Sequence, residues 1–338
     1  MSKKSPQPDL LLSIIIVSYN TLEITLQTIK SAVLDLKKSQ LLDKTEFFVV
    51  DNNSQDGSVL AVKKYFGQNK LQAVVIANRD NKGFASANNQ GIKKARGQAI
   101  ILLNSDTITQ SGAFQTLLAT FADHPVTEST AHLSSYRQRK SDRLGIIAPM
   151  LLNTDLTLQA QGGNFPNLLS LTSHLLFLDD LPLIGSLLPS TQHTGRNIKM
   201  SKADTKLTPV DWVGGTAMMI RREVIDEIGL LDDNIFMYGE DIEYCLRAKR
   251  HHWDIAIAPQ AKIVHLANAS SGSENALTGE IKGYVYLWAK FKPHWQMPLA
   301  KTILGLGVFL RAILFSTVVF NTKKAGIYWR ILTKLPKF

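Results

Sequence analysis

The feature that most constrains the fold is a series of four short apolar segments that are separated by helix-like stretches. The segments are Leu11 to Val17, Phe47 to Val50, Ala73 to Ile76 and Ala99 to Leu103. Apolar residues at helical spacing follow the first segment and recur over residues 85 to 96. Strands that are apolar on both faces and alternate with helices predict a parallel α/β sheet covered on both sides.

Polar residues follow these segments where each strand would end. They are Asn20 after the first segment, Asp51 after the second, and Asn104 and Asp106 after the fourth. Ligands of such sheets bind outside the carboxyl ends of the strands, so we expect these side chains to share one cleft. The first turn lacks the glycine-rich pattern of dinucleotide-binding folds, and no Gly-x-x-x-x-Gly-Lys-Ser/Thr segment occurs. The pattern therefore disfavours a nicotinamide-dependent enzyme and a P-loop protein.

Six segments in a fixed order resemble the motifs of family 2 glycosyltransferases, in particular their rhamnosyltransferase-like branch. They are Val17 to Asn20, Val50 to Ser58, Asn81 to Ala85 with Asn88 and Asn89, Leu103 to Asp106, Trp212 to Gly215, and Phe236 to Asp241. The resemblance spans roughly residues 10 to 270. It implies the GT-A fold, a mostly parallel, Rossmann-like central sheet with helices on both faces.

The same resemblance implies a division of the chain. We expect a disordered N-terminus over residues 1–9, a catalytic domain over 10–275 and a basic, apolar helical tail over 276–338. Within the domain, residues 10–110 would bind the nucleotide and residues 144–275 the acceptor. Two segments depart from the compact family pattern: the Ser-, Thr- and Arg-rich loop 126–143, and the insertion 165–206, which we interpret as a lid or an acceptor-side element.

The resemblance implies that eight residues bind the donor nucleotide: Ser18, Asn20, Asp51, Asn81, Gly83, Asn88, Asn104 and Asp106. Asp51 matches a carboxylate that accepts a hydrogen bond from the pyrimidine ring. An ionised carboxylate only accepts, so it can recognise the imide N–H of uracil or thymine, which cytosine lacks. The implied donor is thus a UDP- or dTDP-sugar. Taken alone, Asp51 would be a helix cap or turn former.

The Asn81, Gly83 and Asn88 positions match a loop that lies along the donor. Glycine would allow close approach of the backbone, and the amides could donate to phosphate or sugar oxygens.

Asn104-Ser105-Asp106 occupies the place of the family's Asp-x-Asp motif, which holds Mg²⁺ or Mn²⁺ against the diphosphate through oxygen ligands. Because the first position is an amide, Asp106 remains the strong ligand of this motif. His265 matches a histidine that supplies a second metal ligand in related enzymes. Without the resemblance, Asp106 would be the N-cap of a helix beginning near Thr107, and His265 a surface or packing residue.

Glu240 and Asp241 begin a helical pattern, where the helix dipole alone could account for two carboxylates. In the family, the residue matching Asp241 is the general base, which takes the proton of the acceptor hydroxyl during an inverting displacement. Glu240 would orient the acceptor or complete the helix start. Trp212, Gly214 and Gly215 would form the floor beneath the acceptor, although Trp212 could equally belong to the core.

The tail carries much of the chain's formal net charge of +10, and no acidic residue follows Glu280. Residues 298 to 320 are strongly apolar but include Lys301 and Arg311, which would be costly at the centre of a bilayer. We therefore expect a helix that lies on the membrane, with basic residues near anionic headgroups. The alternative is a helix pair packed on the catalytic domain. No nucleic-acid-binding module accompanies the charge.

Together these features predict an inverting, metal-dependent glycosyltransferase. It would move a sugar, with rhamnose as one candidate, to a hydroxyl of a bacterial cell-surface glycan or lipid-linked glycan. The polar first residues and the single Cys245 favour the cytoplasm, with peripheral contact at the inner membrane. The alternative is a catalytically weak or inactive nucleotide-sugar-binding or scaffold protein of a polysaccharide assembly complex.

Overall fold

The structure is a computed structural model that describes residues 10–126, 143–181, 185–189, 191, 205–266 and 274–338. The expectations for residues 1–9, for nearly all of the loop 126–143 and for parts of the insertion 165–206 lie outside the described residues.

Strands and helices alternate through the first half of the chain. The elements are β1 (Leu12–Ser18), α1 (Leu22–Lys38), β2 (Thr45–Asp51), α2 (Ser58–Gln68), β3 (Ala73–Ala77), α3 (Phe84–Ile92), β4 (Ala99–Asn104), β5 (Thr107–Thr109) and α4 (Ala113–Asp123). The four strands predicted from the sequence agree with β1 to β4 to within two residues at each end.

The second half adds shorter strands and a helical end. The elements are β6 (Leu144–Leu152), β7 (Gly162–Gly163), α5 (Leu168–Leu175), β8 (Thr208–Val210), β9 (Trp212–Val213), β10 (Ala217–Arg221), α6 (Arg222–Ile228), α7 (Glu240–Arg250), β11 (Asp254–His265), α8 (Glu274–Phe291), α9 (Gln296–Thr317) and α10 (Thr322–Lys334). Single 3-10 turns occur at Leu42–Lys44, Gly185–Leu187 and Leu335–Lys337.

The central sheet has nine strands among the described residues, in the order β3-β2-β1-β4-β10-β6-β11-β5, with β8 paired to β11. The strands β1 to β4 are parallel, and their register pairs Ser18 with Asp51 and Val17 with Asn104. β10 runs antiparallel to β4, so the start of β10 lies beside the end of β4. The polar strand ends therefore meet at one edge of the sheet.

Helices cover both faces of this sheet, as the apolar strands predict. On one face, Ile14 and Ile16 pack with residues of α1, α2 and α4; on the other, Ile15 packs with residues of α3, α6 and α7. The alternation along β1 follows from the two-residue period of a strand. Burial of each such side chain contributes about 1.5–3 kcal/mol, so the sheet forms a rigid support for its loops.

The C-terminal helices α8, α9 and α10 pack against α5 in a separate apolar cluster that includes Leu171, Trp288, Leu304 and Ile331. This is the packed arrangement that the sequence leaves as an alternative. α8 begins at Glu274, just before the boundary predicted at residue 275. Among the described helices, α9 alone is long and apolar enough to cross a membrane.

α8 approaches the loop that carries the acid pair through two glycines. A Cβ atom at Gly279 would lie 2.8 Å from the Met237 carbonyl oxygen, and one at Gly283 would collide with the Tyr238 carbonyl oxygen. The close approach lets the first tail helix support this loop directly.

We predict that Gly283→Ala destabilises the protein. In an open helix this change would stabilise by about 1 kcal/mol, but here the methyl group must displace the Tyr238 backbone. Overpacking of this kind costs about 1–3 kcal/mol, which urea unfolding can measure. The matched control is Gly326→Ala in α10, whose Cβ would meet only the Arg330 side chain at 3.4 Å. Equal stability of the two variants would contradict the packing.

Candidate active site

The loops after β1 and β2 are joined by reciprocal hydrogen bonds. The Asn20 N–H donates to Ser54 Oγ and the Gln55 N–H donates to Asn20 Oδ1, each at 2.8 Å. Asn20 has a positive φ of 52°, which asparagine tolerates better than most residues. The Ser54 N–H also donates to Asp51 Oδ2 at 2.9 Å. Asp51 therefore forms a turn and fastens one wall of the cleft.

The second oxygen of Asp51 is different, because Oδ1 is buried and accepts from none of the described residues. A buried carboxylate oxygen without a donor is unfavourable, so this position suits an N–H group of a ligand. Ser18, its neighbour across the register, is also buried, and its Oγ lies 3.0 Å from Thr25 Oγ1 in α1. The Ser18 hydroxyl is thus directed to α1.

The loop before α3 holds the loop of the acid pair. The Phe84 N–H donates to the Phe236 carbonyl oxygen at 2.7 Å, and a Cβ atom at Gly83 would collide with the same oxygen. Asn81 Oδ1 accepts from the Gly83 N–H at 2.9 Å, and the buried Asn88 donates from Nδ2 to the Phe84 carbonyl at 3.0 Å. Gly83 is therefore needed for contact with Phe236, and the Asn88 amide holds the loop.

Asp106 and His265 meet at the edge of the sheet. Asp106 lies in the turn between β4 and β5, and its Oδ1 is 3.2 Å from Nε2 of His265 at the end of β11. The other ring nitrogen, Nδ1, lies 2.9 Å from Gln159 Oε1. The alternative of an N-cap at Asp106 is wrong, because Thr107 begins a strand.

This pair fits a small divalent cation. A carboxylate oxygen and an imidazole nitrogen, both of which can bind Mn²⁺, face each other here. Two ligands at adjacent corners of an octahedron, each about 2.1 Å from the ion, lie about 3 Å apart. The measured separation is 3.2 Å. Across the described ranges, no group of three or more His, Cys, Asp or Glu side chains converges. Asp106 and His265 therefore form a candidate site of two residues.

The Asp106 turn is fixed from α1 by Thr28, which is fully buried. Thr28 Oγ1 lies 2.7 Å from the Ser105 carbonyl oxygen and 2.9 Å from that of Thr107, and it accepts from the Thr107 N–H at 3.0 Å. The backbone on both sides of Asp106 is therefore held by one hydroxyl. Sequence analysis misses Thr28, because a threonine on the inner face of a helix carries no sign of this contact.

Glu240 and Asp241 begin α7, directly after Gly239 with its φ of 101°. Asp241 Oδ2 accepts from the Gly215 N–H at 3.1 Å, and Oδ1 accepts from the Ile242 N–H at 2.8 Å. The residue after Gly215, Thr216, accepts from the Asn104 N–H at 2.8 Å. Asp241 is thereby connected to the end of β4 and to the Asp106 turn.

The two carboxyl groups of the pair differ in environment. Burial raises the pKa of Asp241, while the Gly215 and Ile242 N–H groups oppose the rise. Burial, and next the charge of Asp241, raise the pKa of Glu240 to about 8. Its Oε2 is buried without a hydrogen-bond partner in the described part of the chain. Burial thus raises the pKa of both carboxyl groups, and the Gly215 and Ile242 N–H groups favour the charged form of Asp241.

A buried charge network fixes α7 below the pair. Glu243 is fully buried and pairs with Arg247 at 2.7 Å and with Lys290 of α8 at 2.9 Å. Lys290 also pairs with Asp232 in the preceding loop. Removal of one partner from such a network is strongly destabilising, so the helix start is well fixed. Sequence analysis misses Lys290, which lies far along the chain.

Trp212 lies in the core, which is the alternative that the sequence leaves open. It is 8% exposed, and its Nε1 donates to the Asn164 carbonyl at 3.1 Å. This placement leaves little indole surface for a sugar ring. Gly214 and Gly215 do border the acid pair: a Cβ atom at Gly214 would lie 3.8 Å from Asp241 Oδ2.

The sheet and the helices on its two faces form the GT-A fold. The structure of GalNAc-T7 with UDP, GalNAc and Mn²⁺ superposes with a TM-score of 0.58 at 16% identity, over 94% of this chain and 58% of that one. Residues 13–165 match the model of Glycosyl transferase family 2.

Two relatives align over about three quarters of the chain. The low-salt glycan biosynthesis hexosyltransferase Agl10 of Haloferax volcanii is 26% identical over 260 residues, which are 75% of this chain and 66% of the relative. The N-acetylglucosaminyl-diphospho-decaprenol L-rhamnosyltransferase of Mycobacterium tuberculosis is 22% identical over 271 residues, 76% of this chain and 79% of the relative.

We predict that Glu240→Gln reduces the loss of stability at alkaline pH. The folded-state pKa of about 8 exceeds the ordinary value of 4.5, so the native state is disfavoured as pH rises between these values. Glutamine cannot ionise. The free energy of unfolding of the variant, relative to that of wild type, should therefore be higher at pH 9 than at pH 5 by up to a few kcal/mol. Unfolding at several pH values measures this difference.

The control for this prediction is Glu23→Gln, which removes an exposed carboxylate in α1. It should follow the wild-type pH dependence. If Glu240→Gln follows it too, the Glu240 carboxyl is not held neutral by its surroundings.

Proposed function

We propose that this chain is an inverting, metal-dependent glycosyltransferase that uses a UDP- or dTDP-sugar. The observation that carries the proposal is the convergence of three kinds of group on one sheet edge. These are the unfilled oxygen of Asp51, the Asp106–His265 pair and the carboxylate of Asp241. Asp51 would bind the base of the donor. The Asp106–His265 pair would bind the diphosphate through a metal ion, and Asp241 would bind the acceptor hydroxyl.

Asp51 supports the choice of nucleotide. Its Oδ2 accepts a hydrogen bond from the Ser54 N–H, and its Oδ1 accepts none from the described residues. The imide N–H of uracil or thymine fits this position, whereas the unprotonated N3 of cytosine would face the carboxylate as a second acceptor. The walls around Asp51 are already joined through Asn20 and Gln55, so the base would enter a prepared cleft.

Asp106 and His265 are the residues that would hold Mg²⁺ or Mn²⁺. The ion would neutralise the charge that develops on the departing diphosphate. Thr28 and Gln159 fix the two ligands from behind. Asn104 brings no charge to the motif, so His265 takes on the role of the second protein ligand.

Asp241 is the proposed general base. Its oxygens are held by the Gly215 and Ile242 N–H groups, and its raised pKa makes it a better proton acceptor than an exposed aspartate. The acceptor oxygen forms a bond to the anomeric carbon as the bond from that carbon to the diphosphate breaks, and the hydroxyl proton passes to Asp241. One displacement without a protein nucleophile inverts the anomeric centre.

The acceptor that we propose is a glycan or lipid-linked glycan of a bacterial cell surface. The names of the two relatives describe a hexosyltransferase of glycan biosynthesis and a rhamnosyltransferase that acts on a decaprenol-linked sugar. They support hexose and rhamnose as the donor sugars to test first. Such an acceptor places the enzyme at the cytoplasmic face of the membrane.

The competing function is a nucleotide-sugar-binding or scaffold protein without turnover. The amide at Asn104 favours it, because the motif loses one charge. Against it stand the closely spaced Asp106 and His265 and the well-held Asp241, since a protein that only binds a nucleotide needs no base.

We predict that Asp241→Asn lowers transfer by at least about 100-fold while donor binding remains. The assay measures nucleotide release from a panel of UDP- and dTDP-sugars with Mn²⁺ or Mg²⁺, with and without lipid-linked acceptors. The control, Asp226→Asn, changes an exposed aspartate of α6 and should leave transfer unchanged. Near-normal transfer by Asp241→Asn would show that another group takes the proton. Absence of donor binding by wild type would contradict both functions.

We predict that His265→Ala weakens Mn²⁺ binding by more than tenfold and Gln159→Leu by about tenfold. Electron paramagnetic resonance of free Mn²⁺ measures this directly in the presence of UDP and, separately, dTDP, and so does not depend on turnover. His294→Ala, at an exposed position, is the control. If His265→Ala binds Mn²⁺ as wild type does, the pair is not the metal site.

A further inference from the structure

The outer face of α9 is mostly apolar, and Thr302 and Thr317 are its exposed polar residues. We define the α9 stripe as Leu299, Leu306, Phe309, Leu310 and Ile313, whose exposed fractions range from 38% to 49%. At 100° per residue these side chains fall within an arc of about 100°. The segment Val318–Phe320 continues the stripe, and Phe320 is 76% exposed. Contiguous exposed apolar surface of this kind marks a site of contact with a partner or a membrane.

The two cations of α9 both face the protein. Arg311 donates from Nη1 to the Leu175 carbonyl at 2.5 Å and lies over the Phe177 ring at 4.3 Å. Lys301 donates from Nζ to the carbonyl oxygen of Phe338. Every residue of α9 is described, and its exposed face therefore carries no charged side chain. Contact of this face with a bilayer therefore does not require Lys301 or Arg311 to enter the hydrocarbon.

The margins of the stripe carry aromatic and basic groups. Trp295 precedes α9 and is 65% exposed, and Trp329 of α10 is 42% exposed and packs edge-on against Phe309. Residues 274–338 contain ten Lys and Arg against two acidic residues, and one of those two, Glu274, is paired with Arg330 and Lys334. Indole rings prefer the membrane–water interface, and Lys and Arg favour anionic headgroups.

The inner face of α9 is buried against the rest of the protein. Ala300, Leu304 and Val308 are buried within the cluster shared with α5, α8 and α10, and Ala312 on the same face is also buried. A spanning orientation would strip this face from the protein and carry Arg311 into hydrocarbon, at high cost. Contact through one face requires neither change.

We propose that the α9 stripe, with the Val318–Phe320 segment, inserts into one leaflet of an anionic membrane, so that the protein docks as a monotopic enzyme. Insertion of an amphipathic face reaches about 5–10 Å, to the boundary of headgroups and acyl chains. α8 lies between α9 and the acid-pair loop, packed on both, so docking would bring the cleft near the membrane surface. This surface lies outside the candidate active site, and the inference does not depend on the proposed activity.

The test is co-sedimentation of the full-length protein with vesicles of phosphatidylcholine, with and without phosphatidylglycerol. The triple variant Leu306→Gln, Leu310→Gln, Ile313→Gln should bind the anionic vesicles at least tenfold more weakly than wild type. The matched control is Leu34→Gln, Leu60→Gln, Val74→Gln, which changes three exposed apolar residues on α1, α2 and β3. The control should bind as wild type, and urea unfolding should show that both triple variants are folded.

Tryptophan fluorescence gives an independent measure of depth. Trp212, Trp253 and Trp288 are buried, so a blue shift on vesicle addition would come from Trp295 and Trp329. Brominated lipids should quench this signal more strongly when the bromine lies near the headgroups than when it lies at the bilayer centre.

Three outcomes would overturn the proposal. One is failure of wild type to bind either vesicle, and another is equal binding by wild type and the α9 variant. The third is loss of self-association in the α9 variant without any change in vesicle binding, which would make the stripe an interface between two copies of the chain. Nucleotide release with a water-soluble acceptor should be unchanged in the α9 variant, which separates docking from catalysis.

Discussion

The parallel register of β1, β2 and β4 is the constraint on which the rest of the structure depends. It places Ser18 opposite Asp51 and Val17 opposite Asn104, so that three strand ends share one edge. Because both faces of these strands are buried, a slip by one residue would exchange the apolar sets of the two faces. The antiparallel β10 then brings Gly215, and with it Asp241, to the same edge. The proposed chemistry requires these loops to be held together at one edge of the sheet.

Many motif residues hold the loops in place rather than face the open cleft. Gly83 permits the contact with Phe236, and Asn88 holds the start of α3. Thr28, which lies outside the motifs, fixes the turn at Asp106 from behind. Preorganisation of this kind keeps charged groups at their working positions without further rearrangement. Burial raises the pKa of both Glu240 and Asp241, and the Gly215 and Ile242 N–H groups oppose the rise at Asp241.

The C-terminal helices connect the site to the outer surface. On its inner side, α8 contributes Lys290 to the buried network of Glu243 and receives the acid-pair loop against Gly283. On the outer side, α9 turns both of its cations inward and presents only uncharged side chains. Deletion of this region would therefore disturb α7 as well as any membrane contact, and point variants on the exposed face separate the two effects.

The sequence by itself determined the local elements and their chemical character. Strong apolar runs predicted β1 to β4, and their resemblance to family motifs paired Asp106 with His265, which the structure places 3.2 Å apart. Tertiary structure alone decided that Trp212 is core, that β5 follows Asp106, and that Thr28, Gln159 and Lys290 support the site. It also turned Arg311 toward α5. Periodicity reports only the neighbours of a residue along its own element, whereas these placements depend on contacts between segments far apart in the chain.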